Sequence, residues 1–133
     1  MGVFDALRVS AAGLEAERTR MDVIAENIAN VETTRSLEGG PYRRRMVVLA
    51  AQQVGAACTG VRVAGVEADS SPPLRVHNPG HPDADAQGYV LMPNVELPTE
   101  MADMILAARA YEANAAALRS GRDMIRQALS ILA

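Results

Sequence analysis

The sequence predicts a mainly helical α+β protein: long N- and C-terminal helices paired as an antiparallel coiled coil, with a small β-rich middle domain. Three observations predict it. Apolar residues recur at alternating spacings of three and four at both ends of the chain. All seven Pro, and most of the Gly, fall between residues 35 and 98. Short β-branched runs lie between those punctuators. The expected division is therefore residues 1–34 with 99–133 as the helical part, and 35–98 as the middle.

The first seam runs Phe4, Leu7, Ala11, Leu14, Arg18, Met21, Ala25, Ile28. This is the heptad rhythm of a coiled coil, with one position taken by Arg18. Asp5 stands in the first turn, where a negative charge suits the helix dipole. Asn30 follows the last seam residue and is expected as a left-handed cap. The predicted helix covers about residues 3–30, roughly 40 Å at 1.5 Å per residue.

The last seam runs Met101, Met104, Ala108, Tyr111, Ala115, Leu118, Arg122, Ile125, Leu129, Leu132. Thr99 after Pro98 is the expected N-cap, with Glu100 and Asp103 in the first turn. The Ala-rich stretch that follows favours helix strongly, so helix is predicted from about 100 to 132. Arg18 and Arg122 interrupt otherwise apolar seams, either snorkelling to water or fixing register. With the tips of the pair aligned, the chain ends meet and Glu15 falls near Arg122.

In the middle, the strand-like runs are Arg45–Leu49, Gly60–Val66 and Gly88–Met92, separated by Gly39-Gly40-Pro41, Ser71-Pro72-Pro73 and Asn78-Pro79-Gly80. So few large apolar groups make only a small β unit that leans on the helices or on neighbours.

Composition narrows the function. The chain has no Trp, one Phe and three Tyr, so its apolar share is carried by Ala, Val, Leu and Met. Such residues make narrow helix seams better than bulky cores, which favours burial completed against copies or partners. All thirteen basic residues are Arg and the net charge is −3, which argues against nucleic acid as the main partner. Arg43-Arg44-Arg45 is too short and lacks interleaved aromatics for that role; one of the three is expected to pair with a carboxylate across an interface and the others to be solvated. The single cysteine, Cys58, is expected as a small semi-buried residue. The N-terminal segment lacks a secretory pattern and no run is long enough for a membrane span, which by itself suggests a cytosolic protein.

Candidate chemistry is thin. His77, His81, Asp83 and Asp85 lie within nine positions, but Pro79, Gly80 and Pro82 forbid a helical ligand pair, and an ordered turn-rich loop is the expectation. There is no G-x-S-x-G, no phosphate-binding Gly loop and no Cys–His pairing. Catalytic, cofactor and metal sites are therefore expected to be absent, and the chain is read as non-enzymatic.

Several stretches carry a resemblance. Ser10-Ala11-Ala12-Gly13-Leu14, followed by Arg20 through Asn30 with Asn27-Ile28-Ala29-Asn30, resembles the N-terminal signature of bacterial flagellar rod and hook proteins. Glu38 through Arg44, Gly80 through Asp85 with Gly88-Tyr89-Val90, Pro93-Asn94-Val95 and Arg109 through Asn114 look most like the proximal rod members of that family. The chain departs from the pattern at Ala50–Ala57, which is short and Ala-rich.

The resemblance implies a structural subunit of the basal-body rod, exported without a cleaved signal by the flagellar type III apparatus into the periplasm-spanning rod. That reverses the cytosolic expectation. It implies paired terminal helices in an inner tube. The implied partners are copies of the chain, other rod proteins and the hook–basal-body junction protein at the membrane ring. Phe4, Leu7, Leu14, Arg18, Met21, Ile28, Met101, Met104, Tyr111, Leu118, Arg122, Ile125 and Leu129 are the expected seam residues, with Asn27, Asn30 and Asn114 as polar contacts between subunits. The competing readings are a soluble coiled-coil adaptor or export partner, and a metal enzyme centred on His77 and His81.

Overall fold

The computed structural model describes residues 2–55 and 58–132. Its elements in chain order are helix α1 (Val3–Ala29), strands β1 (Arg45–Val54), β2 (Cys58–Ala68), β3 (Leu74–His77) and β4 (Tyr89–Met92), and helix α2 (Leu97–Leu132). Two long helices enclosing a small antiparallel middle is the expected fold class.

The helices pack antiparallel. Leu7 meets Gly121, Gly13 meets Asn114, and Asn27 meets Glu100. Residue i of α1 is thus level with residue 127 − i of α2, to within one position. The two glycines allow the close approach: a Cβ on Gly121 would come within 2.6 Å of the Leu7 side chain, and one on Gly13 within 2.9 Å of Asn114. In this register Val3 is level with Met124, so the last eight residues of α2 run on past α1 by about 12 Å. The ends do not meet at one tip, and Glu15 lies level with Glu112 rather than near Arg122.

α2 starts earlier than expected, at Leu97. Pro98 is tolerated there because first-turn N–H groups have no intrahelical acceptor. Thr99 is inside the helix and not its cap: its hydroxyl donates back to Glu96 Oε2 at 2.7 Å. Asn30 does end α1, but with φ −107° rather than in the left-handed region. It caps through its side chain, whose Nδ2 donates to the Glu26 carbonyl at 2.9 Å.

β1 and β2 form an antiparallel ribbon running from Arg45↔Ala68 to Val54↔Cys58, with Ala64 as an extra residue between the Val48↔Gly65 and Leu49↔Val63 pairs. Both strands are longer than the runs read from sequence. The ribbon packs along α1 and, among the described residues, does not pack against α2. Ala12, Ala16 and Thr19 of the helix line a crevice with Gln52, Val61 and Val63 of the ribbon, and Gly55 at its turn comes up against Asp5. Ten residues at about 3.3 Å each match most of the helix length. Within the Ala50–Ala57 stretch, residues 50–54 belong to β1, Gly55 begins the turn, and residues 56–57 lie outside the described residues.

β3 and β4 make a second, separate ribbon, Leu74↔Met92 to His77↔Tyr89. β3 was not legible in sequence; four residues fit between Pro73 and Pro79. The loop joining the two strands is ordered by its own side chains. Asp85 Oδ1 accepts from the backbone N–H groups of Gln87 at 2.8 Å and Tyr89 at 2.9 Å. Arg75 stacks over the Tyr89 ring, 4.1 Å from its centroid.

Candidate assembly surface

α1 serves two neighbours at once, α2 on one side and the first ribbon on another. Its buried residues, Ala16, Val23, Ile24 and Asn27, lie between those two directions. The contact arc is therefore turned away from the expected seam. Leu7, Leu14, Met21 and Ile28 are half-buried at its edge, while Phe4, Ala11, Arg18 and Ala25 face solvent. On α2 the buried residues are Glu100, Ala107 and Gly121. Met104, Leu118 and Ile125 are half-buried beside them, while Met101, Tyr111, Arg122 and Leu129 are exposed. The missing signal was the ribbon, a third layer that claims part of α1.

At the ribbon-proximal end the helices are tied by buried polar groups. Asn27 is 1% exposed and Glu100 0%. Asn27 Nδ2 donates to Glu100 Oε2 at 3.0 Å and to the Arg45 carbonyl at 2.9 Å. Its Oδ1 accepts from the Arg45 N–H and from the Tyr42 hydroxyl, both at 2.9 Å. Both donors and both acceptor sites of the amide are thereby satisfied. Glu100 Oε1 takes Arg44 Nε at 2.5 Å, and Arg44 also reaches Asp103 at 3.5 Å. Burial first, then the Glu26 carboxylate, raise the Tyr42 hydroxyl above its usual pKa, which keeps it a proton donor.

Asn27, placed among the contacts between subunits, is fully occupied within its own chain. Asn30 acts as a cap and accepts from the Thr33 hydroxyl at 3.1 Å. Asn114 packs on Gly13 and donates to the Ala110 carbonyl at 3.0 Å. Of the Arg43–Arg45 run, two residues rather than one are paired: Arg44 with Glu100, and Arg45 with Glu26 at 3.1 Å. Sequence reasoning missed Tyr42, Arg44 and Glu100 as a unit, because they come together only when three elements close.

One exposed stripe of α2 is apolar. Leu106, Met124 and Ile131, with Ala113 and Ala117, form an exposed stripe at spacings of seven and four. Ile131 and Leu132, on the overhanging end, are 84% and 85% exposed. Among the described residues, no helix is long and apolar enough to cross a membrane. Among the same residues, no three His, Cys, Asp or Glu side chains are grouped to hold a metal. His77 packs edge-on against Tyr89, and His81 Nδ1 accepts the Asp83 N–H at 3.0 Å. Cys58 is buried.

Comparison with known proteins points one way. Residues 7–35 match the family model described as "Flagella basal body rod protein", and residues 86–131 match "Flagellar basal body rod FlgEFG protein C-terminal". Similar proteins include the flagellar basal-body rod protein FlgC of Borreliella burgdorferi, 44% identical over 99% of this chain and 99% of that one. Those of Bacillus subtilis, 40% identical over 98% and 99%, and of an Escherichia coli strain, 37% identical over 98% and 96%, are further examples. With this identity sustained along essentially the whole chain, the protein belongs to the flagellar basal-body rod protein family.

Proposed function

We propose that this chain is a subunit of the proximal rod of the flagellar basal body. It polymerises with its own copies and other rod proteins into the drive shaft that transmits torque and encloses the export channel. Membership of a rod family makes it a structural protein and not an enzyme. The observation that carries the finer reading is the unpartnered apolar stripe of α2, presented on a helix pair locked at one end by the Asn27–Glu100 knot. Small residues such as Ala113 and Ala117 let helices approach closely, as a narrow tube of many helices requires. Heterologous contacts whose rotation does not close produce helical assemblies.

In this reading the helical part, residues 1–34 and 99–133, lines the inner tube, and residues 35–98 form the outer unit. The exposed members of the expected seams, Phe4, Arg18, Met101, Tyr111, Arg122 and Leu129, meet neighbouring subunits. Asn30 and Asn114, half-buried and partly engaged within the chain, are the remaining candidates for polar contacts there. The chain reaches the periplasm-spanning rod through the type III export apparatus without a cleaved signal, and touches the hook–basal-body junction protein at the membrane ring. Deletion of the gene, with electron microscopy of the cell envelope, tests the proposal. Motors lacking rod, hook and filament are expected. Complete flagella would overturn it in favour of a soluble adaptor.

A further inference from the structure

We infer that a second copy of this chain lays its α2 against the outer face of α1, offset along the axis by one helical turn. The inference rests on the rod-subunit reading above and names the partner and register of one contact.

On α1, Arg8, Glu15, Arg18, Asp22, Ala25 and Ala29 all face solvent, spaced alternately by seven, three and four. This stripe points away from both α2 and the ribbon. On α2, Arg109, Glu112, Arg119 and Asp123 form an exposed charged stripe on the side away from α1. Arg8, Arg18, Asp22, Arg119 and Asp123 have no ion-pair partner among the described residues of their own chain. Arg109 and Glu112 pair only with each other, at 2.9 Å with both side chains mostly exposed, an arrangement that is easily exchanged.

The charges select a register. If a neighbour stands level, so that residue i again faces 127 − i, like meets like: Arg8 faces Arg119, Glu15 faces Glu112, and Arg18 faces Arg109. Moving the neighbour by three to four positions reverses this. Arg8 then faces Asp123, Arg18 faces Glu112, and Asp22 faces Arg109. In the same register the small residues Ala25 and Ala29 oppose Ile105 and Met101, which are 60% and 54% exposed. The same step in the other direction gives one complementary pair, Glu15 with Arg109. A second turn in the favoured direction gives one complementary pair, Glu15 with Arg119, but sets Arg8 against Arg126 and Asp22 against Glu112.

Only the one-turn offset, about 5 Å, satisfies three pairs at once. Exposed ion pairs contribute little energy each, but like-charge juxtaposition excludes wrong registers, as flanking charges do in coiled coils. Both halves of the pattern belong to this chain, which is why the occupant is a second copy.

Crosslinking in isolated basal bodies tests the offset. Copies carrying Arg8→Cys are co-expressed with copies carrying Asp123→Cys and treated with a short bismaleimide; Cys58 is buried and out of reach. A dimer band is expected, and it should be far weaker when Arg119→Cys replaces Asp123→Cys. The opposite preference, or no dimer in either pair while the chain is present in the basal bodies, overturns the offset and leaves the rod reading standing. Absence of the wild-type chain from basal bodies overturns the rod reading itself. Charge reversal gives a second measurement. Arg8→Asp and Asp123→Arg should each shrink the swarm, and the two together should restore it. A double variant no better than either single one contradicts the inference.

Discussion

Replacing Asn27 by Ala removes a side chain that hydrogen-bonds α1 to both the start of β1 and the start of α2. Four hydrogen bonds disappear together: to Glu100, to the Arg45 carbonyl, from the Arg45 N–H and from the Tyr42 hydroxyl. An ordinary hydrogen bond contributes about 1 kcal/mol net, and one to a charged group about 1.5–3 kcal/mol. The Glu100 carboxylate has no access to water, whereas Tyr42 and Arg45 are partly exposed and regain some solvation. Discounting for that regain, the loss should be about 3 kcal/mol, a large share of the roughly 5–15 kcal/mol that holds a domain folded. With a urea slope of about 1–3 kcal/mol per molar, the midpoint should fall by about 1 M or more. Asn30→Ala is the comparison. It breaks two bonds at a half-buried helix end and should cost about 1 kcal/mol. The assay is urea unfolding of the purified chain, followed by circular dichroism. A midpoint for Asn27→Ala no lower than that for Asn30→Ala would refute the claim that the knot anchors the helix pair.

Two further expectations concern other parts of the chain. The Tyr89 and Gln87 N–H groups and the nearby Arg75 hold the Asp85 carboxyl below the usual carboxylate range. A depressed carboxyl stabilises the folded loop above the unfolded value, about pH 4, and that stability is lost as pH falls through the folded value. The amide signals of Gln87 and Tyr89 should therefore move together below pH 4, and a transition centred above it would contradict the assignment. Leu118→Asp puts a charge at a half-buried position of the helix contact, with a cost on the order of 2 kcal/mol and lost motility. Arg35→Ala removes an Arg that is 78% exposed, paired with Asp83, and should leave motility intact. Equal swarming in both variants would show that the helix contact is misassigned.

What the sequence disclosed depended on how local the cause was. The helices were legible because their rhythm and Ala content act within a few turns, and the two long strands because β-branched runs lie between turns. The exact contact arc was not legible. Leu7, Leu14, Met21 and Ile28 were read as the centre of a two-helix seam, yet they form its margin, because the first ribbon covers an adjacent face of α1. Glu100 was read only as a first-turn charge; its burial is acceptable because Asn27 and Arg44 arrive from sites 73 and 56 residues away. No local window contains such a pairing.

The distribution of burial explains why one molecule is both firm and unfinished. The buried apolar side chains of the helix pair, Ala16, Val23, Ile24 and Ala107, lie toward the knot end. Toward the other end the contact thins to Leu7 on Gly121, and α2 then continues alone with Leu129, Ile131 and Leu132 exposed. Local stability follows packing density and falls to near zero where contacts end. Isolated helical segments gain most of their stability from a packed face. The free end of α2 therefore has little to hold it helical except a surface supplied from outside the chain. The same residues that leave the isolated subunit weakest at this end have the most apolar area to bury when a neighbour arrives. On the rod-subunit reading, a neighbour that covers Leu129, Ile131 and Leu132 is therefore expected to stabilise this end of α2 more than any other part of the helix.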